Sequence, residues 1–269
     1  MTSAIARMNC FLHGVEDFEI VRGDTLSDPK FVEGDRLRQF DVVLANPPYS
    51  IKQWDREAFS ADPWGRNIYG TPPQGRADYA FWQHIIQSMH PKTGRCAILF
   101  PHGVLFRNEE REMRQKLVEH DAIECVLGLG PNLFYNSPME ACVVVCRMNK
   151  PRKRKNKILM INAVNEVTRE RAQSFLTNDH IEKILSAYRG DTATDDFARL
   201  VSLEDVQEHG FNLSLSLYAR ADEVGDQRED GHDKSTLHSA LNSWSDNLKG
   251  VRSSVSSVFE SLEEAEING

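Results

Sequence analysis

The sequence predicts an α/β fold, a sheet with helices on both of its faces. Short apolar runs carry the strand signal: Phe40 to Ala45 (FDVVLA), Cys96 to Phe100 (CAILF) and Lys157 to Ala163 (KILMINA) are near-continuous and suit strands buried on both sides. Segments of helical period lie between such runs, so strand and helix alternate. The chain has 269 residues, 40% hydrophobic and 27% charged, enough for a core of one to two domains.

The elements follow in order. Residues 2 to 13 can form a short amphipathic helix with Ile5, Met8 and Leu12 on one face. Phe18 to Arg22 reads as a strand ended by Gly23-Asp24, and Phe40 to Ala45 as the next. Residues 61 to 76 (ADPWGRNIYGTPPQGR) hold enough Gly, Pro and Asp to be a loop, longer than most connections. A helix over Ala77 to Met89 stops before Pro91 and Gly94. Cys96 to Phe100 is a strand, Asn108 to Glu119 a charged helix, and Ile123 to Leu129 and Ala141 to Met148 two further strands. No helix separates that last pair, so they are expected to run antiparallel. Lys150 to Lys157 holds six basic residues in eight, a solvated loop or a phosphate-contacting one. After the strand Lys157 to Ala163, residues 179 to 189 form a helix with Asp179 as cap and Gly190 as stop. Asp191 to Arg199 is a polar loop.

Charge and cysteine content narrow the function. Residues 221 to 269 carry 11 acidic against 4 basic side chains, and the rest of the chain is close to neutral. No strongly basic nucleic-acid module is present, so DNA binding is local or shared with a partner. The five cysteines form no CxxC pair and read as buried, reduced thiols of a cytoplasmic protein. The nine histidines lack metal-ligand spacing, so no metal site is expected. No apolar run of about 18 residues and no leader pattern occurs, so neither a membrane partner nor secretion is expected.

The tail changes character. Residues 220 to 235 read as an acidic linker. Then Leu237, Leu241, Trp244, Leu248, Val251, Val255, Val258 and Leu262 alternate in steps of four and three, an a/d seam within a helix over 236 to 264. Its many Ser and Asn residues make it marginal alone, so it packs on its own domain or on a partner's helices.

The chemistry sits in Asp41 to Tyr49 (DVVLANPPY), where a buried strand stops at Asn46-Pro47-Pro48-Tyr49. Ligands of open α/β sheets bind beyond the carboxyl ends of strands. An exocyclic amine on a base, or a side-chain amide, has a delocalised lone pair and is a poor nucleophile. Two acceptors aimed at its N–H groups fix it and draw it towards tetrahedral geometry. Asn46 can supply its side-chain oxygen and Pro47 its carbonyl, the two prolines stiffen the turn, and Tyr49 offers a face for a stacked base.

These residues resemble the amino-methyltransferases that use S-adenosylmethionine, whose motif is (D/N/S)PP(Y/F). ARMNCFLHG (6–14), GDTL (23–26), YGTPPQGRADYAFWQHIIQSM (69–89), GRCAILFPHGVLF (94–106), NLFYNS (132–137) and FNLSLSLY (211–218) are similar to one subfamily, the modification subunits of type I restriction–modification systems. The resemblance implies a Rossmann-like methyltransferase sheet and transfer of a methyl group to the amine of a flipped adenine in DNA. It implies that Asn46, Pro47, Pro48 and Tyr49 are catalytic and that Asp24, Asn46 and Phe81 bind the cofactor, with Asp78 in the segment bordering it. Phe134 would stack on the base opposite Tyr49, with Tyr135 the neighbouring alternative. Asp24 also suits a plain turn, and Phe81 and Phe134 also suit core packing. The implied partners are DNA, a specificity subunit that reads sequence, and in the larger assembly a restriction subunit and a second modification subunit.

The pattern departs at its start. Methyltransferases of this class cradle the methionine moiety on a Gly-rich loop after the first strand, and residues 1 to 23 hold only Gly14 and Gly23. The first two strands have no counterpart. Residues 1–190 are thus expected to be a partial catalytic domain, 191–219 its closing segment, 220–235 a linker and 236–264 a docking helix. The S-adenosylmethionine site is expected to be incomplete. Two alternatives stand beside the DNA methyltransferase: a non-catalytic assembly fragment, and an enzyme methylating glutamine amides, which also uses NPPY.

Overall fold

Six strands form the central sheet: β1 Val42–Ala45, β2 Arg95–Pro101, β3 Ile123–Leu129, β4 Ala141–Arg147, β5 Lys157–Ala163 and β6 Ala198–Ser202. Their spatial order is β6-β5-β3-β4-β2-β1. β1 pairs parallel with β2, and β3 parallel with β5. β4 runs antiparallel between β2 and β3, so the expected antiparallel pair 123–129 and 141–148 is found. The computed structural model describes residues 2–134, 139–169, 173–190 and 197–219. The linker, the heptad helix and Tyr135 lie outside the described residues.

The helices are α1 Thr2–Leu12, α2 Arg56–Ser60, α3 Asp78–Gln87, α4 Arg111–Glu119, α5 Asn178–Arg189 and α6 Leu203–Glu208. Alternation along the strands sorts the core onto two faces. Ile98, Phe100, Val126, Val144 and Met160 point to the face where Trp82, Ile85 and Ile86 of α3, Leu117 of α4 and Val206 of α6 are buried. Cys125, Leu159, Ile161 and Ala163 point to the other, against Ile184 and Ala187 of α5. The closing segment joins the first face. Its Phe211 carbonyl accepts from Arg114 Nε at 2.6 Å, and its Ala219 carbonyl from Asn162 Nδ2 at 2.9 Å.

Three local expectations are corrected. Phe18 to Arg22 is not a strand. A strand needs a ladder partner, and among the described residues β1, the sheet's edge strand, pairs with β2 alone. The expected cap Asp179 lies inside α5. Thr177 caps the helix, accepting from the His180 N–H in a capping box, while Gly190 closes it at φ 84° as expected. The polar loop 191–199 overlaps β6, whose hydrogen bonds come from antiparallel pairing with β5 rather than from propensity of its own.

Two of the basic residues in 150–157 serve the fold. Lys150 Nζ donates to the Ile123 and Lys157 carbonyls at 2.9 and 2.7 Å, and Arg154 Nη2 to the Tyr188 carbonyl at 2.6 Å. Among the described residues no helix is long and apolar enough to cross a membrane, and no three His, Cys, Asp or Glu side chains gather as a metal would need. All five cysteines are free, four of them buried.

Candidate active site

The parallel register of β1 and β2, Ala45 against Ile98, sends Asn46–Tyr49 out at the carboxyl ends of both strands. Pro101 pairs with Ala141 and Leu129 with Ala141, so the turn after β2 and the connection from β3 to β4 emerge at the same end. Asn46 and Pro48 are exposed, Pro47 is buried and Tyr49 half-buried. Burial, then the nearby Cys142 and Asp78, push the Tyr49 phenol above its ordinary range, which keeps the ring neutral.

The turn is held from its far side. Ser50 takes φ 49°, in the left-handed region that a non-glycine residue enters only when held there. Asp78 holds it. Its Oδ1 accepts from the Ser50 N–H at 2.7 Å and its Oδ2 from the Ser50 hydroxyl at 3.3 Å. Asp78 opens α3 and is 1% exposed, placed where the helix dipole favours a carboxylate. Arg107 Nη1 donates to Asp78 Oδ2 at 2.8 Å. Asp78 thus braces the NPPY turn directly.

Asp24 stands in a turn rather than at a strand end, its Oδ1 accepting from the N–H groups of Leu26 at 2.9 Å and Ser27 at 3.2 Å. Burial opposes its charge. The Ser27 and Leu26 hydrogen bonds and the Arg66 guanidinium outweigh it, so the carboxyl is held below the usual range. Arg66, 1% exposed, fixes this turn by donating to the Thr25 carbonyl at 2.8 Å and the Leu26 carbonyl at 2.7 Å. Its charge is met by Asp62, whose Oδ1 accepts from Nε at 2.9 Å. Leu26 then packs with Phe59, Ala77 and Ala80, and against them lie Ile51, just past the NPPY turn, and Phe81. The structure therefore brings the Asp24 turn, Phe81 and the segment following Tyr49 into one apolar cluster. Phe134 is half-buried in the connection from β3 to β4 and makes no ring contact with Tyr49 among the described residues.

The long loop 61–76 is tied down along its length. Beyond Arg66, Gln83 of α3 accepts from the Tyr69 N–H at 2.7 Å and donates to the Gly70 carbonyl at 2.9 Å. Arg56 Nε reaches the Pro72 carbonyl at 2.8 Å, and Trp54 Nε1 the Gln74 carbonyl at 3.0 Å.

A family model described as N-6 DNA Methylase matches residues 1–227. The chain belongs to the N-6 DNA methylase family. It is 33% identical over 230 residues to the type I restriction enzyme MjaVIII methylase subunit of Methanocaldococcus jannaschii, a match covering 81% of this chain and 39% of that subunit. It is 31% identical over 240 residues to the HindI methylase subunit of Haemophilus influenzae, covering 86% and 52% respectively. Among solved structures, the type I restriction–modification methyltransferase subunit of Streptococcus thermophilus superposes with a TM-score of 0.74 at 35% identity, over 82% of this chain and 46% of that one. The EcoKI M protein, at 19% identity and a TM-score of 0.58, shares the fold. The match spans about half the length of these relatives or less.

This N-6 DNA methylase chain also contains residues that sequence reasoning passed over. Ser50, Arg66, Arg107 and Glu110 carry no motif signal: Asp78 lies 28 positions from Ser50 and 29 from Arg107, and Arg66 holds backbone carbonyls. The local signs were the i,i+4 pair Asp62 and Arg66 and the i,i+3 pair Arg107 and Glu110, spacings that mean nothing by themselves outside a helix.

Proposed function

We propose that this chain carries the target-amine half of an adenine-specific DNA methyltransferase and works as modification subunit of a type I restriction–modification system. The observation that carries the proposal is the Asn46–Tyr49 turn, set at the carboxyl end of β1 and braced through Ser50 by the buried Asp78. Asn46 Oδ1 and the Pro47 carbonyl would accept from the two N–H groups of the flipped adenine amine, fixing its lone pair towards the methyl donor. Tyr49 would stack on the base, with Phe134 on its other side. Asn46 is exposed, so the proton the amine loses has water to go to.

S-adenosylmethionine would supply the electrophilic methyl carbon. The residues present fit one end of it. Leu26 of the Asp24 turn and Phe81 share an apolar cluster, and the Asp24 carboxylate is bonded to the Leu26 N–H beside it, an arrangement that suits the flat adenine of the cofactor. The methionine end would need the free edge of β1, where Val42 is 49% and Leu44 77% exposed beside an open apolar hollow of about 360 Å³ lined by Leu127, Val145, Ile161 and Leu185. A further polypeptide segment added to that edge would complete the site. The same bare edge favours a second reading, in which this chain by itself is an assembly fragment.

Reconstituted with the edge-completing segment and a specificity subunit, the chain is expected to transfer labelled methyl groups to DNA and not to glutamine-bearing protein acceptors. Asn46→Ala should lower the rate on the order of 100-fold or more, the usual scale for one lost transition-state hydrogen bond. Label in protein acceptors alone would refute the DNA reading. By calorimetry, the isolated chain is expected not to bind S-adenosylmethionine at micromolar concentrations; a micromolar isotherm would overturn the incomplete-site reading.

A further inference from the structure

Behind the NPPY turn lies a buried acid that transfer chemistry does not require. Glu110 is 0% exposed, and among the described residues neither of its carboxylate oxygens has a hydrogen-bond partner. Its nearest countercharge is Arg107 Nη1 at 3.5 Å, the same nitrogen that donates to Asp78 Oδ2 at 2.8 Å. The side chain of Arg107 is 16% exposed and bound into the protein at both ends. Its carbonyl accepts from Arg114 Nη1 at 3.1 Å. Its guanidinium lies close against Gly103, where an added Cβ would stand 2.6 Å from Nη2. A residue with a side chain at 103 would push the guanidinium off its track.

One cation thus stands between two buried carboxylates, one of which grips the turn. We propose that Arg107 is a positioning residue of the transfer site: held between Asp78 and Glu110, it orients Asp78 so that Asp78 fixes Ser50 and with it the Asn46–Tyr49 turn. This rests on the reading of that turn as the site of transfer. Among the described residues, Arg107 reaches the turn through Asp78.

Glu110 sets how Arg107 is shared. Around it stand Arg107, Asp78 and Tyr79 of α3, Arg76 before that helix, and Arg114 of α4. Arg76 is engaged by Glu109 at 2.8 Å, and Arg114 by the Phe211 and Arg107 carbonyls. Burial, against the pull of Arg107, pushes the Glu110 carboxyl up to about 7. Above that pH Arg107 divides its attraction between two carboxylates. Below it, Asp78 has Arg107 to itself and the turn is held most firmly.

The test uses this chain with 3-fluorotyrosine in place of its six tyrosines, the Tyr49 resonance being assigned with Tyr49→Phe. Fluorine NMR then reads the turn without any methyl transfer. The Tyr49 signal is expected to move with pH around a midpoint near 7, as the charge of Glu110 changes. Glu110→Gln should abolish that step. His102→Gln, which removes the histidine after β2, should leave it. Arg107→Met should shift and broaden the Tyr49 signal, Arg107→Lys should restore it in part, and Gly103→Ala should shift it with every charge still present. An unmoved Tyr49 signal in a folded Arg107→Met chain overturns the proposal. Should that variant not fold, unmoved signals in both Glu110→Gln and Gly103→Ala overturn it. So does a pH step that vanishes in His102→Gln instead of Glu110→Gln. In the reconstituted enzyme, Arg107→Lys should lower kcat about 10- to 100-fold, the cost of misplacing a reacting group, with KM for DNA unchanged. If wild-type enzyme transfers no methyl group while the fluorine signals behave as stated, the functional reading fails and the positioning role stands.

Discussion

At the scale of single residues, buried charges decide how this protein answers to pH. Glu110 sits above its ordinary range, up to about 7, because burial disfavours its carboxylate. A group whose folded value is raised favours the folded state at low pH and loses that contribution as pH rises through the folded value. The window runs from the ordinary glutamate value up to about 7. Glu110→Gln should therefore stabilise the fold at pH 8 by about 1–3 kcal/mol, read as a higher melting temperature, and leave it nearly unchanged at pH 4. His84 has the opposite sign. Burial, and then Arg66, bring it down to about 4, so its contribution is present above the ordinary histidine value and lost as pH falls through about 4. His84→Gln should shift acid unfolding to lower pH, as followed by circular dichroism. An acid transition that stays where it was would remove His84 from the explanation. Arg66 presents the cost of a broken pair. With Asp62 and two carbonyls depending on it, Arg66→Met should destabilise the fold by about 3–5 kcal/mol in urea denaturation.

At the scale of elements, the turns of the site are held by neighbours remote in sequence. The 61–76 loop ties the Asp24 turn to α3, and α3 holds the NPPY turn through Asp78. Legibility in the sequence follows the same division. β2, β3, β4, β5 and α3 were readable because their burial imposes apolar runs and helical period. The NPPY turn was readable because an Asn, two prolines and a Tyr in a row directly after a strand form a compact motif. β6 and the Thr177 cap were not, since one depends on a partner strand and the other on a short-range competition among polar residues. Phe18 to Arg22 misled because it has strand composition while a strand is made by its ladder. Arg107 and Glu110 were invisible, since a lone arginine and a lone glutamate in a charged segment look like surface until burial is known. The bare edge of β1 gives its own prediction. Leu44→Lys, a change at a site 77% exposed, should leave the unfolding free energy of this chain within about 0.5 kcal/mol of wild type, yet block addition of an edge-completing segment in pull-down. Undiminished capture would show that the segment attaches elsewhere.

At the scale of the whole molecule, the chain matches relatives over about half of their length or less, and it carries the NPPY turn together with the Asp78 that braces it. Its near-neutral body and acidic tail suit the proposed role, in which a specificity subunit would supply the contacts to bases. Deleting residues 237 to 262 should abolish co-purification with that specificity subunit if the heptad seam is the docking helix; intact assembly would assign docking to another surface. The most direct test is the fate of the methyl group. DNA incubated with labelled S-adenosylmethionine and the reconstituted assembly can be hydrolysed to nucleosides and resolved by mass spectrometry. The expected result is label on the N6 nitrogen of deoxyadenosine, lost in Asn46→Ala. Label on cytosine or on a protein glutamine, or an Asn46→Ala assembly that methylates adenine at the wild-type rate, would contradict it.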